Sequence, residues 1–159
     1  MTVYAVDKLM AEARRLAAEY RRMTGKTLPL SGELAVNDAV RLLGLEAVEE
    51  QGLGYDAQRP TPAGTERLQV KARVVFDELK SSHRVGELKL DRDGDAVLLV
   101  LLDADYETYA IYEATRPAIE AALAEARPNR RGTLTVARFQ RIGRLVWSRP
   151  LPAADQAQA

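Results

Sequence analysis

Residues 52–73, GLGYDAQRPTPAGTERLQVKAR, hold two glycines, an acid, a Pro/Gly turn and a run that alternates. Counted by twos, the run puts Leu68, Val70 and Ala72 on one face and Arg67, Gln69, Lys71 and Arg73 on the other. Side chains alternate across a strand, so this pattern predicts a strand over 67–73 with one face turned to a core. A short strand is expected at 55–59, joined to the first through the turn PTPAGTE. Asp56 then falls at the glycine-flanked start of that strand, and the polar face of its neighbour carries Gln69 and Lys71.

Working outward, Val6, Leu9, Met10, Ala13, Leu16, Ala17, Tyr20 and Met23 recur at helical spacing. They predict an amphipathic helix of about five turns that stops before Gly25. Pro29 breaks the chain, and Ser31 is the expected cap of a second helix through GELAVNDAVRLL, with Gly44 closing it. Glu33 stands in the first turn of that helix, where the dipole favours an acid.

Beyond the opening stretch, a strand is expected near 86–90, and DRDGD reads as a hairpin turn. AVLLVLLD is a continuous apolar run, the pattern of a strand covered on both faces, and ETYAIYEAT alternates. Pro117 opens a helix to about Ala126. TLTVARFQRIGRLVW predicts a short strand and a basic helix bearing Val136, Phe139, Ile142, Leu145 and Val146. The expected class is α/β: a mixed sheet of four or five strands, the N-terminal helices on one side and the 116–126 helix on the other.

Length and composition fit one domain over 1–150, with a helical part (1–45), a basic segment (127–149) and a disordered tail (151–159). No run of eighteen apolar residues suggests a membrane span, and the N-terminal residues do not read as a secretory signal. Cysteine is absent, which removes disulfides and thiolate metal sites, so a cytoplasmic protein is expected. The formal net charge is zero but unevenly spread: Arg127 to Arg149 holds seven arginines and no acid, whereas residues 1–126 hold sixteen basic and twenty-two acidic residues. Such segregation points to an anionic partner.

Several chemistries drop out. DRDGD has its glycine fourth and Leu102 twelfth, against the calcium loop's sixth-position glycine and twelfth-position acid. His83 is the only histidine, so neither a histidine triad nor a multi-histidine metal site can form. No dinucleotide fingerprint or phosphate-cradling glycine loop occurs. Acids and lysine remain. Phosphodiester hydrolysis needs a hard cation to offset phosphate charge and activate water, and a fixed positive group near the water or the developing charge. A carboxylate at one strand end and a ligand two residues from a lysine on the next strand meet both needs. The spacing places Gln69 and Lys71 on one face and leaves the Val70 carbonyl available as a ligand.

The order SGELAV, GYD, LQVKAR resembles the PD-(D/E)XK, or restriction-endonuclease-like, nuclease superfamily over residues 31–103. Its signature is a strand-borne Asp, then an acid-X-Lys on the next strand, and frequently a Glu on a preceding helix. Asp56, Lys71 and Glu33 match those positions. Gln69 departs from the usual acid, as in branches like the type IV restriction enzymes that carry Gln-X-Lys; it offers a neutral carbonyl oxygen without charge. The resemblance implies a DNA endonuclease of a restriction or defence system using Mg²⁺ or Mn²⁺. Glu33, Asp56, Gln69 and the Val70 carbonyl would hold the metal, and Lys71 would orient or polarise the attacking water. Arg73, Arg130, Arg131, Arg138 and Arg141 would contact DNA. It also implies a homodimer that cuts both strands, with specificity from a partner protein. Gln69 keeps a second reading open: an inactive nuclease-like module that binds DNA or a protein.

Overall fold

The computed structural model describes residues 3–50, 52–76, 83–86, 88, 94–125 and 133–150. Two helices, α1 (Val3–Thr24) and α2 (Ser31–Leu43), precede strands β1 (Glu46–Ala47), β2 (Ala57–Thr61) and β3 (Gly64–Val74). Then come β4 (Ala96–Leu102), β5 (Thr108–Thr115), α3 (Arg116–Glu125), α4 (Val136–Ile142) and β6 (Arg144–Ser148). The strands form one six-stranded mixed sheet in chain order, so the architecture is α/β with helices on both faces. All neighbours pair antiparallel except β3 and β4, which run parallel from Leu68↔Ala96 to Val74↔Leu102.

The apolar run 96–102 lies at the centre and is buried along its whole length. Leu98, Val100 and Leu102 join Leu68, Leu34 and Ala35 under α1 and α2, while Val97, Leu99 and Leu101 join Ile119 and Phe139 under α3 and α4. This two-sided cover is why the run shows no alternation. β3 has one apolar face, Leu68, Val70, Ala72 and Val74, turned toward α1 and α2. Its tight turn to β2 spans only Pro62 and Ala63, with Thr61 opposite Gly64. Gly64 has φ +127°, a backbone that excludes most side chains. Pro60 sits in β2 without disrupting a ladder because β1 pairs only with Ala57 and Gln58, leaving Pro60 at the outer edge.

Three sequence expectations change. Ser31 does not cap α2: Leu30, in the helical region at φ −107° and ψ −7°, is the cap residue and makes no side-chain cap bond. The turn closes one residue early, Leu34 N–H donating to the Leu30 carbonyl, so Ser31 is already inside the helix. Gly44 does close it, at φ 64°. The basic helix ends at Ile142, and Leu145 and Val146 belong to β6, which raises the sheet to six strands. Gly143 makes the switch: a Cβ there would lie 2.6 Å from the Glu113 carbonyl oxygen of β5. Most of DRDGD, the expected hairpin turn, lies outside the described residues; its last residue, Asp95, clips β3 to β4, its N–H donating to the Arg67 carbonyl and its Oδ2 accepting from Arg67 N–H. Gly86 and Leu88 lie in no strand, and the rest of the strand expected at 86–90 falls outside the described residues, as does the tail 151–159.

A buried polar junction ties the helices to the sheet. Arg14 of α1 donates through both Nη atoms to Asp38 of α2, at 2.9 and 2.7 Å, and Nη1 also donates to the Tyr106 carbonyl at 2.8 Å. Thr108 Oγ1 donates to Asp38 Oδ2 at 2.6 Å, and Arg41 Nη2 to Oδ1 at 3.3 Å. Burial alone would raise the Asp38 carboxyl; the Arg14 guanidinium and the Thr108 hydroxyl outweigh it and hold the group below its ordinary value.

Replacing Asp38 by Ala leaves the buried Arg14 guanidinium with only the exposed Glu107 carboxylate, at 3.5 Å, and stability should fall by roughly 3 kcal/mol in denaturant titrations. A carboxyl depressed in the folded state stabilises fully above its unfolded value of about 3.9, and that contribution disappears as pH falls through and below it. The wild type should therefore lose stability on acidification through this window more steeply than Asp38→Asn does; parallel curves would contradict the role given to Asp38. Gly143→Ala should lower stability by roughly 1–3 kcal/mol, because backbone must move to admit the methyl group. A melting temperature equal to wild type would contradict the close approach of Gly143 to Glu113.

Candidate active site

β2 and β3 part company at Asp56, and a cavity lies where they separate. Peptide groups along β3 alternate in direction: the Arg67 carbonyl accepts from Asp95 N–H on the β4 side, and the Leu68 carbonyl from Asp56 N–H on the β2 side. The next peptide facing β2 is that of Val70, and β2 has no backbone left to meet it. Asp56 supplies the partner through its side chain, Oδ2 accepting from Val70 N–H at 2.8 Å. By the same alternation the Val70 carbonyl points to this open edge. Asp56 is further fixed by its own carbonyl, which accepts from Val48 N–H at 3.2 Å.

The cavity, ≈ 350 Å³, is lined by Glu33 and Val36 of α2, by residues of the 48–56 connection, and by Gln69, Val70 and Lys71 of β3. All five residues expected to form the site therefore line one space. Glu33 is exposed in the first turn of α2 and arrives round the edge of β3. Gln69 and Lys71 stand opposite Val97 and Leu99 and so belong to the face away from α2, as their spacing predicts. Among the described residues, α3 and α4 pack on β5 and β6.

Gln69 is nearly buried, and its Nε2 donates to the Gly54 carbonyl at 3.2 Å. Gly52 and Gly54 have φ of +86° and +85°, which shapes the loop so that this carbonyl turns toward β3. A carboxylate at position 69 would set oxygen against oxygen, so the amide has a structural reason to stand where the resemblance expects an acid.

Residues the sequence did not single out also line the cavity: Glu49, Glu50 and Tyr55. The acids belong to a run, EAVEEQ, with no basic residue between Gly44 and Gly52, and that local charge was the available signal. Glu33, Glu49, Glu50 and Asp56 face a single lysine, Lys71. Among the described residues no three acid or histidine side chains are placed to hold a metal by themselves. The donors at hand are two carboxylates (Glu33 and Asp56), the Gln69 amide oxygen and the Val70 carbonyl; all are hard oxygen ligands, which fit Mg²⁺ or Mn²⁺ better than a soft metal.

The expected DNA contacts separate from this cavity. Arg73 is exposed two residues beyond Lys71, its Nη2 3.3 Å from His83 Nδ1. Arg138 and Arg141 are on α4 and line a second cavity with Arg84. Arg130 and Arg131 lie outside the described residues. No helix among the described residues is long and apolar enough to cross a membrane. The sequence matches no protein-family model and no curated protein.

Gln69→Glu should lower the melting temperature in the presence of a chelator, by roughly 1–3 kcal/mol of stability, since the Gly54 carbonyl loses its donor and meets a charge. Divalent cation should restore more of that loss than it adds to the wild type. Equal responses of the two proteins to Mg²⁺ and Mn²⁺ would show that position 69 does not face a cation.

Proposed function

We propose that this chain is a metal-dependent DNA endonuclease of restriction or defence type, built on a restriction-endonuclease-like core. The observation that carries this reading is that Glu33, Asp56, Gln69, Val70 and Lys71 line one cavity, although they come from a helix, a strand start and a neighbouring strand. The order of a Glu-bearing helix, antiparallel strands and a lysine-bearing strand supports the core assignment.

Mg²⁺ or Mn²⁺, when bound, would offset charge on the scissile phosphate and make a water acidic enough to attack. The chain's own residues would do the rest. Glu33 and Asp56 supply the negative oxygen donors, and Val70 N–H holds Asp56 in place. The Val70 carbonyl adds a neutral donor from rigid strand backbone. Gln69 anchors the glycine loop through Gly54 and so keeps Tyr55 and Asp56 at the rim. Lys71 brings a positive group beside the carboxylates, where it can orient the attacking water or meet charge that develops on the phosphate.

The Gln69–Gly54 bond favours a second reading, in which position 69 only holds the loop and the chain is an inactive module that binds DNA or a protein. The readings part on supercoiled plasmid with Mg²⁺ or Mn²⁺. The wild type should nick or linearise it, and Lys71→Ala and Asp56→Asn should lower the rate by roughly 10²–10⁴-fold while melting as folded proteins. No cleavage of any nucleic acid, together with no heat of Mg²⁺ or Mn²⁺ binding by calorimetry, would leave the binding module as the function.

A further inference from the structure

The second cavity, ≈ 290 Å³, lies beside α4 and is lined by Arg84, Arg138 and Arg141 with Thr133, Thr135 and Glu125. Three guanidinium groups share it with one carboxylate. Arg84 is held by Thr133, its Nε and Nη2 donating to Oγ1 at 3.2 and 3.0 Å. Arg138 is paired with Glu125 across the gap between α3 and α4. Arg141 is exposed and makes no hydrogen bond or ion pair among the described residues. A fork fixed in one plane beside one that lacks a partner suits an oxygen-rich anion.

A series of contacts leads from this cavity towards the acidic one. Arg73, next along the Lys71 face of β3, meets His83. The His83 carbonyl accepts from Val136 N–H at the start of α4, and Arg84 bridges to Thr135. Lys71, Arg73, Arg84, Arg138 and Arg141 thus follow one another over a single side of the molecule, with Glu125 as the acid among the cavity's residues. At the far end of this line the four carboxylates of the first cavity collect around Lys71. In a chain of zero net charge, such sorting is what gives a polyanion a defined track.

We propose that this basic stripe seats the DNA backbone, and that the Arg84–Arg138–Arg141 cavity takes a phosphate away from the one cleaved at Lys71. The proposal rests on the nuclease reading for the identity of its ligand, and it adds Arg84 and Thr133, which sequence alone did not mark. Its test is fluorescence anisotropy of a labelled duplex of about 20 base pairs, with Ca²⁺ replacing Mg²⁺, across roughly 50 to 200 mM salt. Arg141→Ala and Arg84→Ala should each weaken binding by roughly five- to tenfold at about 0.1 M salt and reduce the slope of log affinity on log salt by about 1. Arg141→Glu should weaken it further, Glu125→Gln should strengthen it, and Arg22→Ala, on α1, should change nothing. Arg141 makes no protein contact that folding needs, so its variants stay informative if Arg84→Ala melts early. Wild-type affinity in both Arg141 variants, or no duplex binding by the wild type, overturns the stripe. Plasmid cleavage separates this outcome from the first proposal: cleavage with Arg141-independent binding removes the stripe alone, and Arg141-dependent binding without cleavage removes the nuclease alone.

Discussion

Asp38 lies in the interior, 1% exposed, with four donors on its two oxygens from three parts of the chain. Arg14 brings α1, Asp38 and Arg41 belong to α2, and Thr108 opens β5. Arg14 also reaches the carbonyl of Tyr106, in the turn between β4 and β5. That turn holds Tyr106 at φ 62°, costly for a bulky residue, and the side chain is buried edge-on to Phe76. A paired buried charge adds little net stability over an apolar replacement, but it has strict geometry. The junction therefore sets where α2 lies against the sheet. Glu33 sits on the same helix, five residues earlier, so its approach to the edge of β3 follows from how Asp38 is held.

The site itself arises from an interrupted ladder. β3 is eleven residues long and β2 only five, so part of β3 has no strand on that side. An unpaired strand edge invites aggregation unless something covers it. Here the 48–56 connection and the first turn of α2 come to it, and Asp56 takes the first orphaned N–H with a carboxylate. The same arrangement that solves a folding problem gathers carboxylates around a strand carbonyl. Under the proposed function, structural and chemical roles would coincide at Asp56, whereas the Gln69 amide serves the loop.

What the sequence revealed depended on whether the controlling interaction was local. The alternation of 67–73 and the apolar run of 96–102 are periodic, and both became the strands they predict. Gly44 closes α2 because a left-handed residue there is a local requirement. Ser31 misled because Leu30 took the turn first, a choice made by the chain coming from Pro29. Leu145 and Val146 fit a helical period equally well; the close approach of Gly143 to Glu113, thirty residues away in sequence, sends them into β6 instead. Glu33, Asp56 and Lys71 could be named because their order resembles a known nuclease signature. Glu49 and Glu50 could not, since nothing periodic attaches them to the gap beside β3. Arg84 was equally hidden, because its value comes from lying across from α4.

Gln69 shows how the two cavities bear on one another. A site with Glu33, Glu49, Glu50 and Asp56 already concentrates negative charge at the point where a phosphate would have to come. A further carboxylate at position 69 would add a charge within reach of the Gly54 carbonyl and increase repulsion toward any polyanion. A neutral amide lowers that barrier, at the expense of one charged ligand for a cation. Lys71 and Arg73 stand next to one another on the same face of β3, where the proposed track would begin. Under the proposed function, a strand of DNA held along the arginines would meet the acids of the first cavity beside Lys71.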